Sequence, residues 1–308
     1  MKILSLFLIT LSLHTSAVIL FDGDLTNLTT PSDDPGWSRV GRVGSFGSGV
    51  YVGNGWVLTA NHVAAGTFTV DGDTTYSVLP GMGNTKRIRN VADTANIDLY
   101  MFRVDVTPGT GLFGLGNLDV ASTTPANLSN GTHIGTGEGQ AVSTTTYYID
   151  TDPVVWDWRT TDFTDSDITR AVYSWDGDTS RDTRWNFQTM LDNDEDIQLY
   201  LSEGITEGFL TSFVGANDFG MAADNDSGSP IFFKNGSVWE LSGIAHAVGT
   251  LNNQPSNTSV VGNTTFFSDL SKYQTQINDI VAIPEISSFY MVGIFTGAAA
   301  LLWFRKKR

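Results

Sequence analysis

The sequence predicts an all-β protein, and three observations carry that expectation. Glycine is abundant, at 32 of 308 residues. Thr, Val and Asp recur, while apolar residues seldom repeat at helical spacing. Asn-Gly pairs also stand between β-rich runs, a strong hairpin signal because a type I′ turn needs positive φ at both central residues. With 41% hydrophobic residues the chain can bury a sizeable core, as one large domain or two small ones. It contains no cysteine, so stability has to come from that core rather than from disulfides.

Met1-Lys2, the apolar run Ile3 to Leu13 and the small residues Thr15-Ser16-Ala17 have the three regions of a secretory signal. Residues 1–17 are read as that leader, cleaved after Ala17, and the protein is expected to be exported across the inner membrane. The first well-marked β segment is Phe46 to Val52, then Gly53-Asn54-Gly55, then Trp56 to Ala60, which places His62 just past a hairpin strand. Asn96 to Val104 is apolar enough for a buried strand and carries Asp98 near its start. Gly, Thr, Pro and Asn dominate from Thr107 to Gly131, so the crossover between two units falls there, with the boundary near residue 125. The units are 18–125 and 126–278.

In the second unit Thr132 to Gly137 reads as a strand with a glycine-rich exit. Residues 150–203 read as an acidic insertion containing Trp156, Trp158, Trp175 and Trp185. Its run Asp192-Asn193-Asp194-Glu195-Asp196 lacks the glycine an EF-hand loop needs next, because Ile197 stands there. A less regular structural calcium loop and a solvated acidic surface both stay open. A second Asn-Gly hairpin joins Ile231-Phe232-Phe233 to Val238–Ala245.

Near the C-terminus, Phe289 to Phe304 is apolar and runs directly into Arg305-Lys306-Lys307-Arg308. Residues 287–304 are expected to enter a membrane as a short transmembrane helix, with the basic cluster on the cytoplasmic side. Pro284-Glu285, the apolar span and the basic end together resemble a bacterial PEP-CTERM sorting tail over 284–308, with Ile286 where the motif has proline. That resemblance implies an exosortase-type enzyme as partner and display or release at the cell surface. An ordinary membrane anchor is the rival reading. The net charge is −16; without leader and tail, 12 basic face 32 acidic residues, or −20. Such a surface argues against nucleic acid as a partner.

Serine attacks poorly at neutral pH unless a base takes its proton and an acid orients that base. His62, Asp98 and Ser227 can fill these roles, and beyond the leader only His62, His133 and His246 are available as imidazoles. Trp56-Val57-Leu58-Thr59-Ala60-Asn61-His62, Asp98-Leu99 and Asp226-Ser227-Gly228-Ser229-Pro230 appear in the order of a known family. The chain resembles the trypsin-like (chymotrypsin-fold) serine proteases over residues 38 to 275. The resemblance implies two Greek-key β-barrels with the site in the cleft between them, and a secreted endopeptidase acting on protein or peptide substrates without a required cofactor. It further implies an oxyanion hole from the backbone N–H groups of Asn225 and Ser227, with Asn225 where the family has glycine. Met221 falls at the base of the substrate pocket, and His246 falls beside the catalytic acid, either tuning Asp98 or packing. The acid before the nucleophile wants a cation, either the amine exposed at Val18 by leader removal or an internal Arg or Lys. A catalytically silent adhesion or matrix-binding module on the same scaffold is the alternative.

Overall fold

The computed structural model describes residues 16–282 apart from 22–24, 71–73, 153–154, 176–180, 192–196 and 202–203. The leader through Thr15, the acidic run at 192–196 and the expected membrane segment and sorting tail lie outside the described residues. Within them, no helix is long and apolar enough to cross a membrane.

Two seven-stranded sheets dominate, and each closes on itself. In the first, the ring runs Thr74–Tyr76, Phe68–Val70, Val40–Val43, Gly47–Gly53, Trp56–Ala60 and Asn96–Arg103, and the antiparallel bridge Val78–Val104 shuts it. In the second it runs Arg184–Met190, Asn130–Gly135, Pro230–Asn235, Val238–Gly249, Thr264–Asp269 and Gly204–Ser212. Pairing of Thr189 with Ser212 and of Met190 with Thr211 completes that ring. Closure leaves few free strand edges, which is how antiparallel all-β proteins avoid edge pairing. The chain crosses between the rings after Arg103 and before Asn130, held to the second ring where Leu241 exchanges backbone hydrogen bonds with Asp119 and Ala121.

The first hairpin has the turn its sequence demands: Asn54 and Gly55 both take positive φ, +48° and +81°. The second is shifted by one residue. Asn235 pairs with Val238, so the loop is Gly236-Ser237, with Gly236 at φ +63° in the first central position of a II′-type turn.

The two rings share one core. Trp56, Leu58, Leu99 and Met101 from the first pack in the same buried cluster as Ile134, Phe232, Leu241 and Ile244 from the second. Each such side chain contributes about 1.5–3 kcal/mol on burial, so separating the rings would be costly. The helix Gln274–Val281 adds a strap across them. Gln276 both donates to and accepts from the Arg89 backbone, and Ile277 and Val281 enter the shared core.

Residues 150–203 are not one surface insertion, contrary to the sequence reading. Arg184–Met190 pairs at six positions with Asn130–Gly135 inside the second ring. Its inward residues are Arg184, Asn186, Gln188 and Met190, while Trp185 and Phe187 lie half-buried on the other face. A polar interior face gives no hydrophobic alternation to read. Two of these polar side chains find partners in the chain: Asn186 donates to the Met221 carbonyl at 3.0 Å, and Thr211 Oγ1 donates to Gln188 at 2.5 Å. The rest of the segment includes Ile168–Trp175, which pairs with Gly139–Asp150 in a separate outer sheet.

Candidate active site

The strand Trp56–Ala60 runs antiparallel to Asn96–Arg103, with Ala60 opposite Leu99. That register brings the residues just beyond Ala60 alongside Asp98. The Asn61 N–H donates to the Asp98 carbonyl at 3.2 Å, the His62 N–H to Asp98 Oδ1 at 2.9 Å, and His62 Nδ1 lies 2.6 Å from Asp98 Oδ2. The carboxylate therefore fixes both the backbone and the ring of His62. With Nδ1 facing the carboxylate, the neutral ring carries its proton there and keeps a lone pair on Nε2. Asp98 is itself held from the second ring: its N–H donates to Thr206 Oγ1 at 3.1 Å. Gly204 packs so closely on this strand that a Cβ there would stand 2.2 Å from the Asn96 carbonyl oxygen.

Ser227 lies on the turn that leads into Pro230–Asn235, and the turn is tied to both rings. The Ser48 N–H donates to the Ser227 carbonyl at 2.8 Å, and the Gly228 N–H donates to the Ala245 carbonyl at 2.8 Å. Gly228 sits at φ +88°, and a Cβ there would lie 2.2 Å from both the Ser48 carbonyl oxygen and Thr59 Oγ1. Only glycine lets the turn press against the strand that ends at Ala60, two residues before His62. Asn225 occupies the left-handed region at φ +68°, a conformation asparagine enters more readily than most residues. Among the described residues, no protein acceptor takes the N–H of Asn225 or of Ser227. The pair is thus free to donate to a developing oxyanion.

His246 does more than pack. Its Nδ1 lies 2.9 Å from Asp98 Oδ2, the same oxygen that His62 approaches. Asp98 and the His246 side chain are wholly enclosed, whereas the His62 side chain is 34% exposed. Burial pushes the Asp98 pKa up, but hydrogen bonds from His246 and His62 and the attraction of their charge outweigh it, and the carboxyl is held well below its usual range. Burial likewise depresses His246, against the pull of Asp98. The two directions agree on one state, a neutral His246 donating to an ionised Asp98.

A cavity of ≈ 80 Å³ opens beside Ser227, walled by Ala222, Ala223, Ala245, Ala247 and Thr265, with His246 among its lining residues. Met221 is not part of it. Its strand pairs with Ile19–Leu20, and its side chain is buried with Ile19, Tyr173 and Phe213. Met221 is a core residue and lines no part of the cavity, so the sequence expectation of a pocket base there is corrected.

Asp226, next to the nucleophile, is fully buried and accepts from the Gly137 N–H at 2.7 Å and the Ala223 N–H at 2.9 Å. Burial still raises its pKa to about 7, those hydrogen bonds and the Arg181 charge notwithstanding. The charge of an internal arginine, Arg181, reaches Asp226. Arg181 also donates to the carbonyls of Thr136 (2.9 Å), Gly47 (3.0 Å) and Asn225 (3.4 Å), and to that of Ser45, clamping both rings to the nucleophile turn. Ser48 complements it: its Oγ meets Thr136 Oγ1 at 2.8 Å and donates to the Asn225 carbonyl at 3.2 Å. Sequence reasoning missed Ser48, Arg181 and Thr206, because each acts through a contact that no local motif encodes.

No family model and no curated protein matches this sequence. Among solved structures, a variant of human heparin binding protein (CAP37) superposes with a TM-score of 0.51 at 14% identity, covering 82% of this chain and 95% of that one. A second human heparin binding protein structure gives 0.50 at 12% identity, covering 81% and 94%. At such identities the likeness speaks to architecture, and with the two closed rings it establishes that this chain has a chymotrypsin-like fold.

Proposed function

We propose that the protein is an exported serine endopeptidase acting through Ser227, His62 and Asp98. The observation that carries the reading is the 2.6 Å contact between His62 Nδ1 and Asp98 Oδ2, made in the cleft where the Ser227 turn presses on the strand behind His62. In this mechanism Ser227 Oγ attacks the scissile carbonyl carbon and its proton passes to His62 Nε2. Asp98 stabilises the imidazolium, and the N–H groups of Asn225 and Ser227 hold the oxyanion. The leaving amine takes the proton from His62, after which water, activated by the same ring, hydrolyses the acyl-enzyme. The ≈ 80 Å³ cavity, a few times the roughly 30 Å³ share of one water, suits a small substrate side chain beside the scissile bond. Leader removal and processing of the C-terminal tail by an exosortase-type enzyme belong to the same reading, on the strength of residues 1–17 and 284–308.

The structural neighbours, heparin binding proteins, give the second reading, a binding module, its support. A net charge of −16 speaks against a polyanion such as heparin as the ligand here. Labelling with a fluorophosphonate probe decides between them. The enzyme reading requires labelling that disappears in Ser227→Ala and His62→Ala, and a folded wild-type protein that never labels sinks it.

A further inference from the structure

Three histidines lie among the described residues, and two of them converge on one carboxylate oxygen. His62 Nδ1 and His246 Nδ1 stand 2.6 and 2.9 Å from Asp98 Oδ2, and the three ligand-capable atoms all lie within 4.8 Å of one another. Two imidazole nitrogens and one carboxylate oxygen form a donor set suited to a borderline divalent cation, with a fourth position left for water. We propose that His62, Asp98 and His246 form an inhibitory site for Zn²⁺ or Co²⁺, which switches the serine centre off. The proposal rests on the serine-hydrolase reading for its consequence, though not for the binding itself.

The geometry needs one adjustment. Metal bonds of about 2.0–2.1 Å in tetrahedral array put ligand atoms roughly 3.3 Å apart, so the present hydrogen-bonded contacts must open by about half an ångström. Asp98 and His246 are enclosed and fixed, whereas His62 is a third exposed, which makes its ring both the moving part and the entry path. The carboxylate stays monodentate, because Asp98 Oδ1 is already occupied by the His62 N–H. The strongly negative surface concentrates divalent cations around the molecule.

Protons balance without an external partner. Each Nδ1–H is replaced by a metal bond and the proton moves to Nε2 of the same ring. In His246 that nitrogen is buried and has no hydrogen-bond partner, so its lone pair is free to take it. In His62 the same shift places a proton on Nε2, the atom required to accept the Ser227 proton. The base is thereby lost while the fold is untouched.

The test uses the full chain with Ser227→Ala, titrated with Co²⁺ and followed by the visible bands of tetrahedral cobalt. One equivalent should bind and be displaced by Zn²⁺. His62→Ala and His246→Ala should each weaken binding by at least about tenfold, the low end of what losing even an outer-shell partner does. His62→Ala touches no enclosed side-chain core and keeps the test valid should His246→Ala misfold. In wild-type protein Zn²⁺ should suppress fluorophosphonate labelling and a chelator should restore it. Absence of tetrahedral bands, or bands unchanged in both variants, overturns the metal site. Bands without any labelling of the metal-free wild type would instead remove the enzyme reading and leave the site standing.

Discussion

The main-chain N–H of Ser48 donates to the carbonyl of Ser227 at 2.8 Å, so a strand of the first ring holds the nucleophile turn of the second by its backbone. The Ser48 hydroxyl adds contacts to Thr136 and Asn225 on the same side. Ser48→Ala keeps the backbone bond and removes the hydroxyl. It should cost about 1 kcal/mol of stability for the net hydrogen bonding lost and slow labelling of Ser227, both readable from urea unfolding and probe kinetics.

Asn225 tests whether a left-handed residue is what this position needs. At φ +68°, Asn225→Gly should change stability by a few tenths of a kcal/mol and keep labelling. Asn225→Val should lose about 1–2 kcal/mol and most of the labelling. Equal behaviour of the two variants would contradict the role given to the backbone there.

Gly228→Ala should be far worse. The added Cβ would lie 2.2 Å from Ser48 O and Thr59 Oγ1, at a φ of +88°. Left-handed strain and overpacking together predict a loss of about 2–5 kcal/mol and a dead site. Thermal unfolding and labelling measure both.

His246 acts as a positioning residue for Asp98. Removing its donor in His246→Ala should lower kcat/KM by about 5- to 150-fold, the rate equivalent of about 1–3 kcal/mol lost at a charged, buried group. The carboxylate would then stabilise the His62 imidazolium more strongly, moving the acid limb of the pH profile upward. His246→Asn, which restores a donor, should bring part of the rate back. A residue that only filled space would leave the pH profile unmoved.

Stability should rise with pH up to about 6.5–7 and then level off. Below about 6.5 the unfolded chain takes up protons at His133 and His246, whose folded pKa values are depressed by burial, His133 to about 3. Over the same range folded Asp226 already holds its own proton, so unfolding binds at most about one more proton, and stability falls by up to roughly 1.4 kcal/mol per pH unit as the pH drops. Above about pH 7 the slope fades, because Asp226, His133 and His246 have then lost their protons in the folded and the unfolded chain alike. Urea unfolding from pH 4.5 to 8.5 checks this, and Asp226→Asn should steepen the fall on the acid side, because the folded-state proton that offsets the histidines is gone.

The all-β class, the Asn54-Gly55 hairpin and the three motif blocks around His62, Asp98 and Ser227 were legible because each is written in neighbouring residues: turn chemistry, apolar runs and short motifs. Arg184–Met190 was not, because its inward face is mostly polar, with Arg184, Asn186 and Gln188 ahead of Met190, and Asn186 and Gln188 find partners in Met221 and Thr211, 35 and 23 residues further on. Met221 was misplaced for a related reason. Counting back from Ser227 gives a position in sequence, while the pairing with Ile19–Leu20 decides which way its side chain faces.

Sequence alone determined which groups this protein has for chemistry and that short strands and tight turns would carry them. Tertiary structure alone decided that His246 shares Asp98 with His62, that Arg181 and Ser48 clamp the nucleophile turn, and that Thr206 holds the acid from behind. The physical reason is range: turn and strand preferences act over a few residues. These contacts join residues 44 to 177 positions apart, and exist only once two closed rings have packed against each other.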